Sequence, residues 1–209
     1  MYQRAVQGKE KALGPEHTST LDTVNNLGLL YLDQGKLGEA EKMYQRALQG
    51  YEKALGPEHT STLTTVNNLG NLYKVQGKLG EAEKMYQRAL QGYEKALGPE
   101  PVKTYIPAVN TVYNLGLLFA SQSKSDKARA MYLRALVGYQ SVFGQDHAHY
   151  QKVDEQLKTL EDPENNNPVV LDNDTDQAHV PETSKTTPLC KTVAPPSRRQ
   201  RFLKKLGFK

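Results

Sequence analysis

An internal repeat of 42 residues constrains this chain more than any other feature of its sequence. Residues 14–55 and 56–97 are identical at all but four positions, and each begins with Gly-Pro-Glu-His. A more divergent third copy spans residues 98–143 and carries extra residues in its first loop. Periods of about 20 to 50 residues are the signature of solenoids, in which each unit buries its apolar side against its neighbour. The sequence therefore predicts a stack of similar units rather than one globular core.

Each copy has the pattern of two helices, which we call helix A and helix B. In the first copy, apolar side chains recur every three or four residues, at Leu21, Val24, Leu27 and Tyr31. This spacing predicts helix A over about 18–33, with Thr18 or Ser19 as its N-terminal cap. Gly35 suits the left-handed residue that follows a helix end. Helix B is predicted over about 37–53, so each copy is a helical hairpin.

Incomplete units flank the three repeats. Residues 1–13 match helix B of the later copies, so we expect a partial repeat that has helix B alone, as in the C-terminal part of a longer array. Residues 144–160 start a fourth unit, and an apolar stripe there predicts a capping helix, with its members at Tyr150, Val153, Leu157 and Leu160. Residues 161–209 are too poor in apolar residues to fold alone, which predicts a disordered tail.

Charge and composition narrow the classes of partner. Residues 1–160 carry 19 basic and 16 acidic side chains, a near balance that argues against nucleic-acid binding by the repeats. The last twelve residues contain six bases and no acid, interleaved with apolar residues. Such a segment suits contact with an anionic membrane, calmodulin binding or nuclear import, and a solubilising basic tail is equally open. Cys190 is the only cysteine, and no segment is as long and apolar as a membrane span. We therefore expect a cytoplasmic protein.

A second pattern within the repeats carries a family resemblance. A Leu-Gly pair, an aromatic residue, and an Ala-aromatic-Ala series recur in all three copies, for example at Leu27-Gly28, Tyr31, Ala40, Tyr44 and Ala47. This pattern resembles the tetratricopeptide repeat family, and the 42-residue period is similar to its kinesin-light-chain-like subgroup and to fungal repeat proteins. One departure is valine, at Val24, Val66 and Val112, where the family often has tryptophan. The resemblance implies an all-α superhelical solenoid of antiparallel hairpins, whereas HEAT and armadillo arrays lack this pattern.

The resemblance also implies a binding surface, because helix A of each tetratricopeptide repeat lines a concave groove. All four differences between the two near-identical copies lie in helix A and within one arc opposite the apolar stripe, at Asp22/Thr64, Leu29/Asn71, Leu32/Lys74 and Asp33/Val75. A framework that is copied while its groove face changes is typical of an array that binds different ligands. Tolerated substitution at exposed positions is the open alternative.

Asparagines are the most specific chemical feature of this face. In the family, asparagines of helix A hold an extended peptide, since an amide can donate and accept hydrogen bonds. Carried over by position, the implied site consists of Asn25, Asn26, Leu29, Asp33, Asn67, Asn68, Asn71, Lys74, Asn110 and Asn114. Lys74 would attract an acidic side chain of the peptide. Hydrogen bonding between repeats, which would fix helix packing, is the alternative role for these amides.

We therefore expect a non-catalytic scaffold that binds an extended, acidic peptide. The sequence shows no catalytic constellation and no phosphate-binding glycine loop, and we expect no cofactor and no metal. The recurring His17, His59 and His147 are predicted to be turn residues. The open alternatives are a self-associating or ligand-sensing array from a larger STAND-type receptor, and a kinesin-light-chain-like cargo adaptor.

Overall fold

The structure, a computed structural model, describes residues 1–161. These residues form eight α-helices and one short 3-10 turn at Pro101–Lys103, with no strand among them. The helices are α1 (Tyr2–Leu13), α2 (Thr18–Asp33), α3 (Leu37–Leu55), α4 (Thr60–Val75), α5 (Leu79–Leu97), α6 (Ile106–Ser121), α7 (Ser125–Phe143) and α8 (Ala148–Glu161). The all-α prediction is confirmed, and helices α2 and α3 lie where the apolar periodicity predicts them.

The start of helix A differs from the prediction. The residue before α2 is His17, and its Nδ1 accepts a hydrogen bond from the backbone N–H of Ser19 over 3.2 Å. His59 and His147 make the same bond at the starts of α4 and α8. The expected hydroxyl cap is thus wrong, and an imidazole satisfies one of the unpaired N–H groups at each helix start. The recurring histidines are caps as well as turn residues.

The turn between helices A and B needs a left-handed residue. Gly35 has a φ of 70°, its N–H donates to the carbonyl of Leu32, and the N–H of Lys36 donates to the carbonyl of Tyr31. This bond pattern closes the C-terminal end of α2 as a Schellman motif does. In the third repeat Ser123 occupies the same turn with a φ of 57°. The prediction of a left-handed glycine after helix A is therefore confirmed for Gly35.

Within each repeat, helices A and B approach closely because one of them carries glycine where the other carries tyrosine. A Cβ atom on Gly28 would lie 2.8 Å from the ring of Tyr44, and Tyr44 is fully buried. Gly70 faces Tyr86 in the second repeat in the same way. The recurring Leu-Gly pair of the pattern is thus a packing requirement, since a side chain at this point would overlap the tyrosine ring and push the helices apart.

Consecutive repeats join in two ways. Helix B of each unit packs on helix A of the next, and the A helices also contact one another, α2 with α4 and α4 with α6. Consecutive B helices are linked by ion pairs at equivalent positions, Glu10–Arg46, Glu52–Arg88 and Glu94–Arg134. The A helices therefore form one continuous surface, which is the surface that the groove hypothesis concerns.

The last described helix covers the end of the third repeat. Val153 and Leu157 of α8 are buried against α7, and Tyr150 and Leu160 are partly buried beside them. The predicted tail beyond residue 161, with its basic C-terminus and its proposed membrane or calmodulin contact, lies outside the described residues. Within residues 1–161, no helix is both long enough and apolar enough to cross a membrane.

Candidate peptide-binding groove

The candidate site is the face that helices α2, α4 and α6 share, which we call the inner face. We define it by six half-buried side chains at equivalent positions, Asn26, Leu29, Asn68, Asn71, Asn114 and Leu117. Each of these side chains is packed against its own helix hairpin on one side and is accessible to solvent on the other. These positions lie on the arc that the sequence singles out, and Asp33 and Val75 at its edge are exposed.

Hydrogen bonds between asparagines connect neighbouring A helices. Nδ2 of Asn68 donates to Oδ1 of Asn25 over 3.2 Å, and Nδ2 of Asn114 donates to Oδ1 of Asn67 over 3.2 Å. The Thr65 hydroxyl also donates to Asn25. We call these two Asn–Asn bonds the amide rungs. They are bonds of the type expected if the asparagines serve to fix the packing of neighbouring repeats.

The amide rungs leave part of each amide available for a ligand. An asparagine has two N–H donors and a carbonyl acceptor, and a rung uses one donor of Asn68 and one of Asn114. The second donor and the Oδ1 of both residues make no bond within the described part of the chain. Asn67 is only 9 % exposed, so it acts chiefly as the acceptor of its rung. Packing and peptide binding are therefore compatible roles for Asn68 and Asn114.

A second set of polar residues on the A helices is bonded inside its own repeat. The Tyr139 hydroxyl donates to Oδ1 of Asn110 over 2.6 Å, and the Thr64 and Tyr93 hydroxyls share a hydrogen bond of 2.9 Å. In the first repeat the equivalent pair is Tyr51 and Asp22. Asp, Thr and Asn thus replace one another as partners of a tyrosine hydroxyl. The tyrosine hydroxyl is bonded with either Asp22 or Thr64, which explains why both residues are accepted at this position.

Asn71 completes a hydrogen bond that the other two repeats lack. The hydroxyl of fully buried Tyr86 donates to Oδ1 of Asn71 over 2.6 Å. Leucines stand at the equivalent places in the first and third repeats, and there the hydroxyls of Tyr44 and Tyr132 are buried without a partner among residues 1–161. Three near-identical environments thus contain one satisfied and two unsatisfied tyrosine hydroxyls.

We expect this difference to give opposite effects for the same substitution. Tyr86→Phe removes a satisfied hydroxyl and should lower the free energy of unfolding by about 1 kcal/mol. Tyr44→Phe removes a buried hydroxyl that has no partner, so stability should stay unchanged or rise by up to about 1 kcal/mol. Urea unfolding followed by circular dichroism measures both. Equal losses in the two variants would mean that Tyr44 has a partner after all.

Lys74 lies beside the inner face, one turn beyond Asn71 on α4. Its side chain is partly buried, and no carboxylate of residues 1–160 pairs with it. Loss of hydration lowers its pKa, and the nearby Lys152 of α8 lowers it further. A cation that has lost water and gained a like-charged neighbour is stabilised by any anion that reaches it.

The position of Leu32 corrects one expectation. The sequence places it on the open arc with Asp33, but it is only 4 % exposed and packs with Tyr44 and Leu69 between the first two repeats. At the equivalent position, Lys74 is half-buried. The change from leucine to lysine therefore replaces buried apolar contact with a charge, and it is more than a tolerated surface substitution.

Metal binding has no support in the described residues. No group of three or more His, Cys, Asp or Glu side chains in that range is placed to hold an ion.

Two solved structures show the same fold at low sequence identity. The crystal structure of BtubC (BKLC) from P. vanneervenii aligns with a TM-score of 0.60 and 21% identity, over 91% of this chain and 78% of that one. The crystal structure of a putative kinesin light chain with nearly identical TPR-like repeats from Podosopora anserina aligns with a TM-score of 0.56 and 17% identity, over 79% and 86% of the two chains. No curated protein sequence matches this chain.

Family profiles match most of the helical part of the sequence. One profile described as Tetratricopeptide repeat matches residues 1–53 and 21–95, and a second with the same description matches residues 110–149. Together they cover more than half of the chain. Tetratricopeptide repeats are scaffolds that generally bind other proteins and typically have no enzymatic activity. The resemblance that the Leu-Gly and Ala-aromatic-Ala spacing indicates is confirmed: the chain belongs to the tetratricopeptide repeat family.

Proposed function

We propose that this chain is a non-catalytic cytoplasmic scaffold that binds an extended, acidic peptide along the inner face. The observation that carries the proposal is the row of part-used amides at Asn68 and Asn114. Each is held in place by an amide rung and, within residues 1–161, still has one free donor and one free acceptor. An extended peptide presents N–H and C=O groups along its backbone, and such amides can pair with both.

Pre-orientation of these amides favours binding. A free asparagine side chain loses rotational freedom when it captures a ligand, and this loss opposes association. Because the rungs to Asn25 and Asn67 already fix Asn68 and Asn114, most of that entropy is lost on folding rather than on binding. Lys74 supplies the charge that favours an acidic ligand over a neutral one.

A matched pair of variants tests the proposal. A library of random nine-residue peptides is selected on the full chain, and the affinity of the selected peptides is measured by fluorescence polarisation. Asn68→Ala should weaken binding by about tenfold, since it removes the amide that meets the peptide. Asn25→Ala breaks the same rung from its other side and keeps the Asn68 amide, so it should weaken binding much less.

Two outcomes would contradict groove binding. Failure of the library to yield any specific peptide would contradict it directly. Equal losses of affinity in Asn68→Ala and Asn25→Ala would show that the amides act through helix packing alone. Thermal unfolding of both variants reports the packing effect separately, because both lack the same rung.

Self-association is a second candidate function, and one observation favours it. Apolar side chains are exposed at the equivalent C-terminal ends of three B helices, with relative exposures of 48%, 36% and 40% at Leu13, Leu55 and Phe143. Light scattering at increasing protein concentration would detect association, and Phe143→Ser would reduce it if this edge is the contact. A ligand-sensing receptor and a cargo adaptor would each bind a partner through the repeats. Both alternatives are therefore forms of the proposed peptide-binding function.

A further inference from the structure

Two positions of helix A, one helical turn apart, change character from repeat to repeat: one lies on the inner face and the other lies beside it. The first position carries Leu29, Asn71 and Leu117 in the three repeats, and the second carries Leu32, Lys74 and Ala120. Both positions are apolar in the first repeat, polar in the second and apolar in the third. The asparagines on the same face, at 26, 68 and 114, do not change. The inner face is thus apolar at Leu29, polar at Asn71 with Lys74 beside it, and apolar at Leu117, whereas Leu32 is buried between repeats. We call these three parts its bands.

The polar band presents hydrogen-bond donors and positive charge. Asn71 uses its Oδ1 to accept from the buried Tyr86 hydroxyl, and its two N–H donors have no partner within residues 1–161, which leaves them for a ligand. Lys74 lies one turn further along α4 and has no carboxylate partner in residues 1–160. A group made of N–H donors and an ammonium is complementary to an anionic acceptor, either a carboxylate or a phosphoryl group.

The spacing of the bands sets the spacing of ligand residues. Packed helices lie about 8–10 Å apart, and an extended peptide advances about 3.3 Å per residue. A peptide that crosses α2, α4 and α6 therefore places about every third residue over successive bands. The order apolar, polar, apolar is the same in both directions, so it does not depend on the direction in which the peptide runs.

We propose that the inner face selects peptides in which an anionic residue is flanked by apolar residues three positions away on each side. Leu29 and Leu117 contact the two apolar residues, and Asn71 and Lys74 contact the anionic one. This inference rests on the proposed peptide-binding function and specifies its ligand.

Four synthetic peptides test the pattern on the full chain. The first, Gly-Leu-Ser-Ser-Glu-Ser-Ser-Leu-Gly, carries the proposed spacing. The second replaces Glu with Gln, the third moves Glu by one position, and the fourth replaces Glu with phosphoserine. By fluorescence polarisation, the first peptide should bind about tenfold more tightly than the second and third. The ratio between the first and fourth peptides shows whether a carboxylate or a phosphoryl group is preferred, and tight binding of either supports an anionic residue.

The repeats themselves provide the variant that should remove this preference. The double change N71L and K74L gives the second repeat the residues of the first, a combination that this framework already accommodates. It should bind the Glu and Gln peptides equally. If the double variant unfolds, Lys74→Ala replaces it in the test. This variant introduces the residue that the third repeat has at the same position, and it should also remove the preference for Glu. Lys84→Ala, at an exposed position on α5, is the control for charge alone and should keep the tenfold preference.

The outcomes separate the pattern from the proposed function. If the selected library peptides bind but the Glu, Gln and shifted peptides do not differ, the pattern is wrong and groove binding stands. If Lys84→Ala removes the preference as fully as Lys74→Ala, net charge rather than the polar band is responsible, which also overturns the pattern. If neither the library nor these peptides bind, both proposals fall.

Discussion

Tyr86→Ala should lower the free energy of unfolding by about 3–5 kcal/mol, the cost of truncating a large buried aromatic side chain. Tyr86 is 0% exposed and fills the space that Gly70 leaves between α4 and α5. Its loss would create a cavity at the centre of the second repeat and would also remove the hydrogen bond to Asn71. A solenoid has no distant core to compensate, because each repeat is stabilised only by its neighbours.

The measurement is the midpoint of urea unfolding followed by circular dichroism, with Gln87→Ala as the control. Gln87 follows Tyr86 on the same helix and its side chain is exposed, so its truncation should change stability by less than about 0.5 kcal/mol. Similar midpoint shifts for the two variants would show that the assigned phase of α5 is wrong.

The sequence predicts the helices well because their pattern is local. The apolar stripe of helix A, the glycine after it and the repeated hairpin all depend on spacing within about 20 residues. Internal repetition strengthens the helix prediction, since the same helical pattern occurs in two nearly identical copies. The cap is the exception: histidine is not among the favoured cap residues, so the sequence predicts His17 only as a turn residue.

The hydrogen bonds between repeats cannot be predicted from a local pattern in the sequence. Asn25 and Asn68 are far apart in sequence, and their contact depends on how α2 and α4 are placed side by side. The same is true of the bond between Tyr86 and Asn71. The sequence favours peptide binding by the asparagines and keeps packing as the alternative, because both roles require the same amide on the same face.

Three of the four differences between the near-identical copies have different structural meanings. Asp22 and Thr64 both bind a tyrosine hydroxyl, so that change conserves an internal bond. Asn71 supplies a bond that its leucine counterpart cannot make. Lys74 introduces a charge where leucine is buried. Two of the changes, at positions 71 and 74, therefore carry the argument for ligand selection, and they are neighbours on one helix.

Close packing of the A and B helices leads to the second large effect, that of Gly70→Val. A Cβ atom at this position would lie 2.6 Å from Cε1 and 2.7 Å from Cδ1 of the Tyr86 ring. The ring is fully buried and cannot move away without displacing its own neighbours, so the helices must separate. We expect a loss of about 1–3 kcal/mol from this overpacking.

Gly80→Val is the matched control for that prediction. Gly80 also lies in a helix, α5, and an added Cβ there would have no atom within 4 Å. Valine has a slightly better helix propensity than glycine, so Gly80→Val should leave the urea midpoint unchanged or raise it slightly. Gly70→Val gains the same propensity and still should lose stability, because steric overlap with Tyr86 exceeds that gain. If Gly70→Val is as stable as Gly80→Val, the glycine is not what brings α4 and α5 together, and the Leu-Gly pair of the repeat has another purpose.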